Sequence, residues 1–320
     1  MNVVLALLIL VVSFFLLIIG GNKFVDASVA ISKKVKIPVA IIGATIVSLG
    51  TTIPELLVTI FSASSNASAI AVGNSVGTVI FNIGLIGGFL LLSLTIRNRK
   101  KLRADYILLI TVLVLLFIFS MLGNINLIES ILLIVLFVVY LIISFLYGKK
   151  EKHPEVSVKY KKPTWQYIIL FVLSAGLIAV GAYFLTESAK YLATMVGLSQ
   201  EFIGLTIINF GTSLPELITA INSIRKKEIG LSLGNIIGTS VINTTLLIGM
   251  SGVLNSDGLN IAKQIIFVSI PVAIAVSLIL ILPMLIKKRT FKWQGISLIC
   301  LFSAYYAFLT ATTFGWLKIF

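Results

Sequence analysis

Two glutamates stand inside stretches that are otherwise apolar, each introduced by the same pattern: Gly50-Thr51-Thr52-Ile53-Pro54-Glu55 and Gly211-Thr212-Ser213-Leu214-Pro215-Glu216. A charged side chain at bilayer depth costs about 2.5–3.5 kcal/mol even on the mildest scale. Neither glutamate has an evident Lys or Arg near it in its own stretch, so the pair calls for a counter-charge from solution. A hard divalent cation fits: calcium takes six to eight oxygens at about 2.3–2.6 Å from carboxylates, carbonyls and water. The neighbours add to that oxygen count. Pro54 and Pro215 lack an N–H and their rings clash with the carbonyls four residues back, at Gly50 and Gly211. The expectation is a broken helix in each case, with carbonyls at 50–52 and 211–213 released. Thr78 and Asn82 are four residues apart and share a helix face, as do Thr239 and Asn243. Soft ligands are scarce, which disfavours zinc or copper. Cys300 is the single cysteine and reads as a small buried apolar residue, and His153, the single histidine, lies in a charged loop.

The two glutamate patterns belong to a longer repeat. Residues 43–82 and 204–243 superpose without a gap at an offset of 161, with 15 of 40 positions identical. The match extends to Gly20/Gly181 and Asp26/Glu187, so the whole chain reads as two copies of one unit. The elements that carry it are transmembrane helices. Of the 320 residues 58% are hydrophobic and 11% charged, against about 25% charged in an ordinary soluble domain. Apolar runs of span length recur from end to end, whereas a β-barrel would show shorter alternating segments. The run 3–19 lacks the basic start and small-residue cleavage site of a signal peptide and reads as part of the first span.

The expected fold is an all-α membrane protein of ten transmembrane helices, at roughly 3–31, 38–64, 69–94, 105–122, 125–147, 165–191, 199–224, 229–253, 262–286 and 293–316. Helices 2 and 7 are the broken ones. The Lys and Arg residues check the count: 21 of 25 fall in alternate loops, which makes that face cytoplasmic and leaves both termini outside. The net charge of +14 is therefore topological, and no nucleic-acid partner is implied. Five helices per copy forces the second copy to enter the membrane inverted, an architecture of transporters with a midplane site. The division is 1–147 for the first inverted repeat, 148–164 for a cytoplasmic linker and 165–320 for the second repeat. Of the other acids, Asp105, Glu129, Glu151, Glu155, Glu201, Glu228 and Asp257 read as lying in or beside loops.

With G-T-[TS]-[IL]-P-E in spans 2 and 7 and G-N-x-x-G-[TS]-x-x-x-N in spans 3 and 8, the chain resembles the cation/Ca²⁺ exchanger superfamily, most closely its prokaryotic Na⁺/Ca²⁺ exchangers. The resemblance covers nearly the whole chain. It implies that Glu55 and Glu216 bind Ca²⁺ with the carbonyls of Thr51 and Thr212. Flanking Na⁺ sites would use Thr52 and Thr78 on one side and Ser213 and Thr239 on the other, plus carbonyls at Ser48 and Asn209. Asn82 and Asn243 would lie between them, and spans 1 and 6 would slide to switch access. Two departures stand out: Asn243 replaces an Asp carried by many prokaryotic members, and Asn209 is bulkier than the small residue expected there. The implied activity is Ca²⁺ export against Na⁺ in the plasma (inner) membrane, without cofactor or obligatory protein partner. Family-like three-for-one exchange would move one net charge per cycle. H⁺/Ca²⁺ antiport is the alternative, since buried glutamates can carry protons; a cation channel and a membrane enzyme are remoter.

Overall fold

In the computed structural model the described residues are 2–34, 47–65, 67–93, 100–148, 163–214, 216–217, 220–221, 229–255 and 257–316. They are almost entirely helical, as a chain in lipid must be when no water is present to satisfy its backbone. The first half holds α1 (Val3–Lys34), α2 (Val47–Ser64), α3 (Ser68–Ile80, continued through Phe81–Gly87 and Gly88–Ser93), α4 (Lys100–Ser120) and α5 (Leu127–Gly148). The second holds α6 (Thr164–Val196), α7 (Gln200–Ile203, Gly204–Ile208 and Asn209–Thr212), α8 (Ile229–Ile242, Asn243–Leu247 and Ile248–Leu254), α9 (Ile265–Ser269 and Ile270–Lys287) and α10 (Lys292–Thr313). Among the described residues seven of these helices are long and apolar enough to cross a membrane, and 52–64 and 104–120 are shorter apolar helices. The linker residues 149–162 and most of the basic loops lie outside the described residues.

The inversion is visible in how α1 meets α6. Phe24 faces Phe171 with ring centroids 4.3 Å apart, while Gly20 packs on Ser174 and Ile178, and Gly181 on Ser13 and Leu17. Numbers rise on one helix as they fall on the other, so the pair is antiparallel. A Cβ on Gly20 would stand 3.2 Å from the Ser174 carbonyl oxygen, and one on Gly181 would stand 3.2 Å from that of Ser13. Ser13 and Ser174 are themselves 161 apart, so each contact is the other's image through a pseudo-two-fold axis. Adding 161 to the bounds of α1 and α3 lands within one residue of those of α6 and α8. The last pair departs from this register: Gly249 packs on Ser130 and Ile134, but its image Gly88 packs on Gly295 and Ile299. Those partners are 165 apart, a four-residue shift that falls between α8 and α10.

The layers follow from burial. In their most apolar stretches α3 and α8 are 83% buried, whereas α1, α5, α6 and α10 are 28% buried and turn apolar faces outward. The repeat motif helices α3 and α8 are thus the centre. Cys300, expected to be buried, is exposed on α10, a position where an apolar surround of lipid would serve as well as protein. A two-stranded antiparallel ladder pairs Asn124 with Asn260 and Ile125 with Leu259, joining the α4–α5 and α8–α9 loops. The Lys190 ammonium donates to the Ser65 carbonyl at 3.0 Å, joining the end of α6 to the turn between α2 and α3. Both links unite loops that the charge census leaves poor in Lys and Arg.

Candidate cation site

Helices α2, α3, α7 and α8 meet at the centre, with α3 packed on each of the other three and α2 on α7 and α8, and each brings part of a repeat motif. α2 is a continuous α-helix over Val47–Ser64 with Pro54 inside it, so the expected break at Gly50 is not present in the described residues. A membrane helix can absorb a proline by a local adjustment rather than an end, because its neighbours re-satisfy the freed groups. α7 does break. Its regular stretch ends at Thr212, and Ser213 takes φ −86° and ψ 3°. The release of carbonyls there is smaller than expected, since Ser213 N–H donates to the Asn209 carbonyl at 3.0 Å and the Ser213 carbonyl accepts from Leu217 at 3.2 Å. Each keeps a second lone pair. Pro215 and the side chains of Ser48 and Thr51 lie outside the described residues.

Glu55 is fully buried and Glu216 is 1% exposed. The two carboxylates, from opposite halves, are close enough for the charge of Glu216 to act on Glu55, and the Thr212 hydroxyl lies beside Glu55. Neither Glu55 oxygen makes a well-formed hydrogen bond to a described residue. The same holds for both amide atoms of Asn82, the Thr239 hydroxyl and Asn243 Oδ1, all fully buried. Buried polar atoms in native proteins are overwhelmingly paired, so these left-over oxygens, carried on central helices, have the donor set of a hard-cation site. Thr52, Ser213 and Thr212 are buried at the same level of burial, at 1%, 0% and 0% exposure.

Two features here were not expected from the sequence. Asn82 and Asn243 each sit at the start of a π-turn, Phe81–Gly87 in α3 and Asn243–Leu247 in α8. Such widenings loosen the helical ladder and recur at functional sites. Asn243 Nδ2 donates to the Thr239 carbonyl at 2.9 Å, holding Oδ1 in the cluster. The second feature is Asn74, not among the expected ligands. Its Oδ1 accepts from the Thr212 hydroxyl at 3.2 Å, tying α3 to α7 beside Glu55. Asp105, expected at a loop edge, is 4% exposed within α4.

Thr78 and Ser213, expected on opposite flanks, meet at one group. The Thr78 hydroxyl lies 2.9 Å from Asn209 Oδ1 and 2.9 Å from the Asn74 carbonyl, which share its one proton, and the Ser213 hydroxyl donates to Asn209 Oδ1 at 3.2 Å. The other end of that amide is fixed from α10. Tyr306 donates its only proton to the Leu205 carbonyl at 2.9 Å, so its oxygen can only accept, and Asn209 Nδ2 donates to it at 3.1 Å. A flipped amide would set an acceptor against an acceptor at that contact.

Comparison with known proteins follows the same outline. The sequence model of the sodium/calcium exchanger protein family matches residues 5–146 and again 166–311, once on each half. The chain is 28% identical to the sodium/calcium exchanger MaX1 of Methanosarcina acetivorans, over 93% of this chain and 96% of that one. It is 33% identical to the putative antiporter CaxA of Alkalimonas amylolytica, over 78% of this chain and 81% of that one. Among solved structures it superposes on the sodium-calcium exchanger NCX_Mj soaked with Na⁺ and Sr²⁺, with a TM-score of 0.68 and 26% identity over 96% of this chain and 99% of that one. Inverted halves, a buried pair of carboxylates between them and a family match on each half lead to one conclusion: the chain belongs to the sodium/calcium exchanger protein family.

Proposed function

We propose that this protein is a secondary antiporter that exports cytoplasmic Ca²⁺ in exchange for external Na⁺. The observation that carries the reading is the meeting of Glu55 and Glu216 from opposed halves in a buried cluster of oxygens. Ca²⁺ lies between the two carboxylates, with the carbonyls of Thr51 and Thr212 as further ligands. The candidate Na⁺ ligands are the hydroxyls of Thr52, Thr78, Ser213 and Thr239, the carbonyls of Ser48 and Asn209, and the amides of Asn82 and Asn243. Two negative charges are neutralised by one divalent ion or by monovalent ions in its place, so the site alternates between cargoes. α1 and α6 slide across the remaining helices to expose it to one side and then the other.

The protein sits in the plasma (inner) membrane with both termini outside and the linker 148–164 in the cytoplasm between halves 1–147 and 165–320. Each net charge moved is worth about 2.3 kcal/mol per 100 mV, so an inside-negative potential favours any exchange that brings in surplus positive charge. Uptake of ⁴⁵Ca²⁺ into proteoliposomes under an imposed Na⁺ gradient tests the reading. Uptake is expected to rise with the gradient. Uptake that ignores Na⁺ and follows a pH gradient instead makes the protein an H⁺/Ca²⁺ antiporter, and flux that ignores both makes it a channel.

A further inference from the structure

The two halves repeat their hydroxyls but not what the hydroxyls face. Thr78 and Ser213 converge on the Asn209 amide. Their counterparts at the 161 offset are Thr239 and Thr52, and the counterpart of Asn209 is Ser48. On that side the Thr239 hydroxyl is fully buried and makes no hydrogen bond to a described residue. Among the described residues, one flank is therefore gathered on an amide, while the other presents the Thr239 hydroxyl without a counterpart to that amide.

The amide is built in. Both ends of it have partners: Oδ1 accepts from Ser213 and shares the single Thr78 proton with the Asn74 carbonyl, and Nδ2 donates to Tyr306 and, at 3.4 Å, to the Leu205 carbonyl. Gly77 makes the room. A Cβ there would stand 3.1 Å from both Asn209 Cγ and Nδ2. Rings surround the Tyr306 anchor, with Phe302 at 4.6 Å and Phe210 at 5.3 Å between centroids. The amide stands between the two hydroxyls, taking the Ser213 proton and a share of the Thr78 proton, whereas a cation there would need that space and the hydroxyl lone pairs. A bound ion and this hydrogen-bond set exclude one another, and breaking buried bonds opposes the ion.

We propose that the Asn209 side chain is a fixed amide stopper in one of the two flanking monovalent-cation positions, so that this chain couples fewer Na⁺ to each Ca²⁺ than its own two-fold symmetry would supply. The proposal rests on the Na⁺/Ca²⁺ antiport reading and makes Asn209 and its holder Tyr306 determinants of stoichiometry.

The test counts ions. Bound ²²Na⁺ per purified protein at saturation is measured by equilibrium dialysis without Ca²⁺, for wild type, Asn209→Ala and Asn209→Ser, after each elutes as a single species on gel filtration. Asn209→Ser restores the residue type of the opposite half and serves if the alanine variant does not fold. Either variant is expected to bind one more Na⁺ than wild type. In vesicles clamped at zero potential under a tenfold Na⁺ gradient, the limiting Ca²⁺ accumulation ratio is expected to rise about tenfold, because one more ion descends the gradient per cycle. Tyr306→Phe, which loosens the amide without removing it, should raise Na⁺ affinity at the flank. An unchanged count in the variants overturns the proposal, and a lower count makes the amide a ligand and overturns it as well. Failure of the antiport reading shows separately, as wild-type Ca²⁺ uptake that does not respond to Na⁺.

Discussion

The flank around Asn209 and the flank around Thr239 derive from the same repeat, yet among the described residues only the first has its hydroxyls gathered on an amide. Residues 43–82 and 204–243 share the Gly, Thr, Pro and Glu positions that shape the helix and carry the charge. They differ at 48 and 209, where the short hydroxyl of one copy corresponds to the longer amide of the other. The lesson is that an inverted repeat fixes the positions of ligands twice over but leaves each half free to tune one of them. On the proposed reading, coupling between ions is set where the symmetry fails, and the shared carboxylates are set where it holds.

The comparison can be broken most severely at the point of strict symmetry. Glu55→Gln and Glu216→Gln should each abolish ⁴⁵Ca²⁺ uptake while leaving the protein monodisperse. Ca²⁺ at a hundredfold its Kd should stabilise the wild type by about 2.7 kcal/mol, and neither variant should show that shift in a thermal melt. Wild-type uptake in one variant alone would mean that the halves do not share the ion. The next largest effect is expected at Ser48→Asn, which places an amide on the second flank. Na⁺ affinity there should fall about tenfold, the equivalent of one good hydrogen bond set against the ion, as read from the Na⁺ dependence of Ca²⁺ uptake. Asn243→Asp should act more mildly, by about a few-fold on the apparent Ca²⁺ affinity. It adds a charge but forfeits the Nδ2 bond to the Thr239 carbonyl. Unchanged kinetics would show that this position stands apart from the ions.

The smallest effect on transport belongs to the helix pair outside the site. Gly20→Ala would bring a Cβ within 2.8 Å of the Ile178 side chain, while Gly181→Ala would meet Leu16 at 3.1 Å. Overpacking of this kind costs about 1–3 kcal/mol. Melting in detergent should therefore fall further for Gly20→Ala than for Gly181→Ala, and the reverse order would show that the pair is not packed as described.

How far the sequence carries the structure follows from range. Glu55 and Glu216 stand out because a carboxylate in an apolar run is costly and here occurs twice. The repeat and its inversion are legible for a similar reason: glycines, prolines and charges punctuate the chain at a fixed offset. The four-residue shift between α8 and α10 is not legible, because Ser130, Ile134, Gly295 and Ile299 carry no motif that would reveal their partners. Nor are the π-turns at Asn82 and Asn243, which arise from packing around the helix rather than from a local propensity. The break expected in α2 shows the opposite failure. Gly50 and Pro54 have the local chemistry of a helix end, but a neighbouring wall of helices carries the chain through. The Asn209 amide needed three helices to be seen together, α3 for Thr78, α7 for itself and α10 for Tyr306.

The ladder between Asn124–Ile125 and Leu259–Asn260 carries a practical implication. It fastens a loop of one half to a loop of the other, and α1 lies on α6, α3 on α7 and α5 on α8 in the same interleaved manner. The two copies have a common interior, so neither is a separable folding unit. A nick by protease between residues 149 and 162 should leave two fragments that still migrate as one particle, and the two polypeptides expressed from separate messages should find each other.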